Sequence, residues 1–170
     1  MGFIYGTEGY DAEKELSVSF TGHRSQKLPW GCDERDERCA AFKSRLRGEI
    51  VRAYREGYRY FLSGMAEGVD VYAAEAVLEL SKTLKEIKLV AVFPYGLGSS
   101  PRVKAIAKRA FRVVSLHEGY TPSCYMERNR FLIRHSSRII CGYSGEAASG
   151  TGATMRMAQS SGIEIVILNT

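Results

Sequence analysis

Ser63-Gly-Met-Ala-Glu-Gly-Val-Asp70 follows an apolar run and precedes an amphipathic one, the outline of a strand, a tight turn and a helix N-terminus. Gly64 and Gly68 permit close backbone approach, and the first turn of the following helix offers unpaired N–H groups carrying partial positive charge. The natural guest of such a turn is an anion. Ser63, Met65 and Ala66 complete the turn, and Glu67 and Asp70 add carboxylates, the candidates for acid–base work if any reaction occurs here. For Asp70 the commoner role at such a place is a cap or first-turn anion that stabilises the helix.

Two further turns have the same character. Thr21-Gly-His-Arg24 ends an earlier apolar run. There Gly22 allows close approach, Arg24 presents a planar fork to a phosphate or carboxylate, and His23 can exchange a proton near neutral pH. Ser149-Gly-Thr-Gly-Ala-Thr154 opens the last helix, so backbone N–H groups at Gly150 and Gly152 and the hydroxyls of Ser149, Thr151 and Thr154 could surround an anion, with capping as the alternative role for Ser149 or Thr151. No Gly-Lys-Ser/Thr closes the Ser149–Thr154 turn and no G-x-G-x-x-G follows the first strand, which counts against kinase-like and dehydrogenase-like readings. Arg128 and Arg130 point about 200° apart on a helix, so only one faces a ligand crevice. Asn129 is a hydrogen-bonding candidate beside Arg128, while Tyr95 and Tyr120 follow strand ends and could stack on a base. His117 and His135 lack metal-like partners in sequence, and nothing in the motifs calls for a metal or another cofactor.

These turns need a scaffold that brings strand ends together. Short apolar runs near residues 16–20, 58–62, 88–93, 111–116, 139–143 and 163–168 alternate with helical patterns near 33–56, 69–80, 101–110 and 121–135 and, after a loop over 144–152, a last helix through about 161. The run at 88–93 is apolar almost throughout, as expected of a strand buried on both faces. Six strands with five interposed helices predict an α/β fold, a doubly wound, mainly parallel, Rossmann-like sheet with helices on both faces. With the strand order 3-2-1-4-5-6, the ligand crevice would lie between strands 1 and 4, at Thr21–Arg24. The domain reading is one unit over residues 16–170, preceded by an extension over residues 1–15 that no periodicity assigns.

The 170-residue chain is long enough to bury a substantial core without disulfides or metals. Cys32, Cys39, Cys124 and Cys141 form no C-x-x-C pair, the first residues lack a signal-peptide pattern, and no apolar run approaches membrane-spanning length. The expectation is a cytoplasmic protein without membrane association. A net charge of +5 suits a phosphorylated small molecule or nucleic acid without choosing between them.

Thr21-Gly-His-Arg24, Ser63 to Asp70, Arg128-Asn129 and Ser149 to Thr154, taken in that order, resemble the SLOG superfamily and, within it, the YpsA-like branch. Relatives there include the DNA-processing protein DprA (Smf) and the LOG-type phosphoribohydrolases. The resemblance implies a Rossmann-like fold that binds a nucleotide or nucleotide-derived ligand through the glycine turns, and relatives of this kind suggest a homodimer. LOG-type enzymes carry a P-G-G-x-G-T-x-x-E signature with a catalytic glutamate, whereas the matching segment here is Ser149-Gly-Thr-Gly-Ala-Thr-Met-Arg-Met157. Hydrolysis of an N-glycosidic bond would therefore need Glu67, Asp70 or Glu127 from another loop. The Ser63–Asp70 turn is close to the DprA form, which implies single-stranded DNA binding as a further alternative.

Overall fold

In the computed structural model, which describes residues 2–170, all seven strands run parallel in one sheet. They are β1 (Gly2–Tyr5), β2 (Ser17–Gly22), β3 (Tyr60–Ser63), β4 (Lys88–Phe93), β5 (Arg112–Ser115), β6 (Arg138–Tyr143) and β7 (Glu164–Asn169), ordered β1-β5-β4-β3-β2-β6-β7. Five helices connect them: α1 (Glu37–Arg55), α2 (Val69–Leu80), α3 (Pro101–Arg109), α4 (Cys124–Arg134) and α5 (Gly150–Ser161). Helix α2 packs between α1 and α3, while α4 packs against α5. The two groups cover opposite faces, so the sheet is doubly wound.

Its order differs from the one expected. In terms of the six anticipated strands it is 4-3-2-1-5-6, because β5 pairs with β4 from Val90↔Arg112 to Phe93↔Ser115. The chain therefore changes face at α4, and the switch point lies between β2 and β6. Local periodicity identifies α3 as a helix with Val103, Ile106 and Ala107 inward, but it does not say which neighbour the next strand will join.

The seventh strand, β1, lies in the segment that periodicity left unassigned. It has four residues, with half-buried and exposed positions alternating, and is joined to the edge of β5 from Gly2↔Arg112 to Tyr5↔Ser115. Beyond it the chain passes α4, where the Tyr10 ring meets Phe131 and His135 edge-on at centroid distances of 5.2 and 5.0 Å.

The main core lies under α1, α2 and α3. Helix α1 contributes Cys39, Phe42, Leu46, Ile50 and Ala53 at helical spacing. Tyr54 sits at the margin of this stripe, partly buried, and donates its hydroxyl to Lys85 O at 2.8 Å. The helix starts at Glu37 rather than near residue 33, because the acidic residues ahead of it make a turn and then a cap. Asp33 accepts a bond from Arg35 N, and Asp36 is the N-cap, accepting from Arg38 N at 2.8 Å. On the other face, Leu62, Val90, Val92 and Val114 meet Phe131 and Leu132 of α4. Among the described residues no helix is long and apolar enough to cross a membrane.

Candidate functional site at the carboxyl edge of the sheet

The switch point is closed by packing. A Cβ on Gly22 would lie 2.4 Å from Val69 Cβ, and one on Gly142 would lie 2.8 Å from Val69 Cγ2. Val69, the first residue of α2, is thus wedged onto the ends of β2 and β6. Gly68 has φ +97°, and a Cβ there would stand 2.5 Å from His23 O, which accepts Val69 N–H at 3.3 Å. His23 is buried. Its backbone N–H donates to Gly142 O, and its Nε2 accepts Ser144 N–H at 3.1 Å with Ser144 Oγ 2.9 Å away. Accepting that N–H requires an unprotonated Nε2, and burial lowers the imidazole's pKa. Gly22 and His23 therefore join β2, β6 and α2 together.

The turn after β3 is held from within. Ser63 Oγ donates to Asp70 O at 2.8 Å and accepts Met65 N–H at 3.2 Å, while Ala66 N–H donates to Asp70 Oδ2 at 3.3 Å. Met65 carries φ 60°, a strained conformation for a side chain of its size. Gly64 is required by Arg128, since a Cβ there would lie 2.9 Å from Arg128 Nη1, which donates to Gly64 O.

Arg128 leaves only 6% of its surface exposed and still lines the cleft described below, whereas Arg130 is exposed. Its Nε donates to Asn129 Oδ1 at 2.8 Å, Asn129 Nδ2 donates to Thr154 Oγ1 at 3.0 Å, and Thr154 Oγ1 donates to Gly150 O. Helix α4 thereby ties the turn after β3 to the start of α5. Burial lowers the Arg128 pKa against the pull of Asp70. Burial pushes Asp70 up to about 6, although Arg128, the Ala66 N–H bond and Arg24 pull it down.

Ser149 is the N-cap of α5. Its Oγ accepts Gly152 N–H at 3.0 Å and donates to Glu146 O at 2.6 Å. Thr151 and Gly152 are buried, and a Cβ on Gly152 would lie 2.4 Å from Ala147 O, whereas Gly150 is exposed beside open space. This turn is closed on itself and does not line the cleft.

The cleft has a volume of about 870 Å³ above the ends of β2, β3 and β4. Arg24, Gly64, Met65, Ala66, Glu67, Tyr95 and Arg128 line it. Ser63, Asp70, Asn129 and Thr154 support those residues from behind. The exposed Arg24 places its Cζ 5.5 Å from the centre of the Tyr125 ring, and Tyr95, Tyr120 and Tyr125 lie 5.9 to 6.5 Å apart as a cluster at the mouth.

The sequence reading overlooked Tyr125 and the wall built by residues 96–103. In that wall Gly96 and Gly98 adopt left-handed φ, and Ser100 caps α3 ahead of Pro101. A connection from β4 to α3 longer than a simple turn, ending Ser-Ser-Pro, was the available signal. On this side Arg102 bridges Glu34 and Glu75, which ties α3 to the segment before α1 and to α2. Arg102, together with Lys43, holds the Glu34 pKa at about 2. Outside the cleft, His117 Nε2 meets Glu127 Oε2 at 2.6 Å, placing Glu127 in a link between α4 and the segment after β5.

A doubly wound parallel sheet with a glycine turn, a helix N-terminus and a buried arginine at its carboxyl edge defines a Rossmann-like protein of the SLOG type. The chain belongs to the YpsA family, described as the YspA SLOG family, whose model matches residues 18–165. It is similar to a UPF0398 protein of Brevibacillus brevis, 28% identical over 143 residues that cover 78% of this chain and 74% of that protein. It is also similar to a UPF0398 protein of Ligilactobacillus salivarius, 29% identical over 80 residues, 47% of this chain and 43% of that protein.

Proposed function

We propose that the cleft binds a nucleotide or nucleotide-derived anion, with the phosphate at Arg24, Arg128 and the start of α2, and the base against Tyr95 and Tyr125. Arg128 carries this reading. Burying a guanidinium is costly, and among the described residues it has no carboxylate within ion-pair distance; its Nε and Nη1 donate to the neutral oxygens of Asn129 and Gly64. Such a group is arranged to meet an anion from outside. The cleft's size is within the range of small-molecule sites, and family membership favours a nucleotide-related ligand.

Calorimetric titration with AMP, GMP, CMP, UMP, NAD, ADP-ribose and a short single-stranded oligonucleotide tests the proposal, using wild type and Arg24→Ala. Arg24 is exposed and free of ion pairs among the described residues, so its loss leaves the fold intact. Saturable binding of one nucleotide, weakened about tenfold or more in Arg24→Ala, is expected from loss of a charge-assisted contact. Equal affinity in the variant would remove the phosphate placement. Binding of the oligonucleotide alone, with a steep salt dependence, would replace this reading with single-strand binding. Release of free base, lost in Glu67→Gln, would replace it with hydrolysis.

A further inference from the structure

Asp70 is a buried carboxylate without an ion-pair partner among the described residues, beside the proposed anion site. It occupies the second position of α2 and is only 6% exposed; Oδ2 takes the Ala66 N–H, while Oδ1 takes no hydrogen bond. No cation lies within ion-pair distance of it among the described residues. The charged and titratable groups that bear on it are Arg128 from α4, Arg24 from the segment after β2, and Cys141 from β6, whose thiol burial pushes up to about 12 with Asp70 adding to the rise. Arg128, Arg24 and the α2 N-terminus are the same positive elements that the cleft offers to a guest. An anion seated there competes with Asp70 for them and repels its carboxylate through a poorly screened interior.

We infer that anion binding in this cleft is proton-linked: Asp70 gains proton occupancy from solvent as the guest arrives and loses it when the guest leaves. The inference rests on the reading of the cleft as an anion site. No covalent bond to the guest forms, and the carboxyl remains in place behind the Gly64–Ala66 turn. Its neutralisation keeps the local charge balanced when a negative group is added. Asp70 is therefore a positioning and linkage residue, and the cleft favours its ligand more as pH falls toward the titration of this carboxyl.

Sulfate is a suitable probe because it remains a dianion throughout the range of interest. The side-chain carboxyl carbon of Asp70, assigned by comparison with Asp70→Asn, is titrated by NMR with and without saturating sulfate. Sulfate affinity is measured at pH about 5.5 and about 7.5 in both proteins. The expected result is a midpoint for Asp70 about one pH unit or more higher with sulfate, and wild-type affinity about tenfold tighter at the lower pH, with Asp70→Asn nearly flat. Sulfate binding that leaves the Asp70 midpoint in place overturns the proton linkage while preserving the anion site. The same conclusion follows if Asp70→Asn keeps the wild-type pH dependence. Absence of sulfate binding at both pH values overturns the anion site and the linkage together.

Discussion

Four glycines at the carboxyl edge separate folding from binding residue by residue. At Gly68 a side chain would meet the His23 carbonyl in a left-handed conformation, so Gly68→Ala costs about 3 kcal/mol or more and lowers the melting temperature sharply. Gly152→Ala meets the Ala147 carbonyl and is also destabilising, whereas Gly150→Ala, beside open space in the first turn of α5, leaves stability within about 0.5 kcal/mol. Gly64 is the informative case. Its would-be Cβ meets Arg128 at Nη1, Cδ and Cζ, 2.9 to 3.0 Å away, so Gly64→Ala displaces the guanidinium that donates to the Gly64 carbonyl. Nucleotide affinity should fall about tenfold with a modest loss of stability; unchanged affinity alongside a large fall in melting temperature would show that Gly64 serves packing alone. The residue types were legible in the sequence, because glycine, arginine and hydroxyl groups at βα turns announce their chemistry. Their partners were not. Gly22 was read as an approach to a ligand, and it accommodates Val69 at the switch point.

Helix α4 links the elements of the site. Through Arg128 it holds the turn after β3, and through Asn129 it reaches Thr154 in α5. The start of α5 belongs to this supporting layer, so Ser149→Ala should lower stability by about 1 kcal/mol through loss of the N-cap while leaving nucleotide affinity near that of wild type. Chemical denaturation and a binding titration on the same variant separate the two effects, and a large loss of affinity at unchanged stability would bring the α5 turn into the binding site. Periodicity exposed the helices because their inward stripes are long and regular, as in Phe42, Leu46 and Ile50. It gave no warning of the β4–β5 pairing, which depends on the path of α3 across the sheet. β1 escaped notice because four edge residues are too few to establish a period.

For the whole molecule, opposing carboxylates shape stability against pH. Asp70 has a folded pKa of about 6, above its ordinary 3.8, so its contribution is most favourable below pH about 4 and falls away as pH rises to about 6, a change of about 3 kcal/mol. Glu34, held at about 2, acts in the other direction; its contribution is present above its ordinary 4.5 and is lost as pH falls toward 2. Denaturant unfolding at several pH values should therefore show Asp70→Asn gaining stability relative to wild type between pH about 4 and about 6, and an unchanged difference across that interval would contradict the burial of the charge. The parallel, doubly wound architecture was readable from alternating strands and helices, but the cleft was not, since its far wall joins α3, α2 and the segment before α1 through Arg102, Glu34 and Glu75. The central claim concerns where a nucleotide sits, and an amide-resolved NMR titration with the tightest-binding nucleotide tests it directly. The account predicts saturable shifts concentrated at residues 64–70, Arg24 and Tyr95, with smaller changes in α5. Shifts centred on residues 149–154 or on the exposed face of α1, with residues 64–70 unmoved, would contradict it.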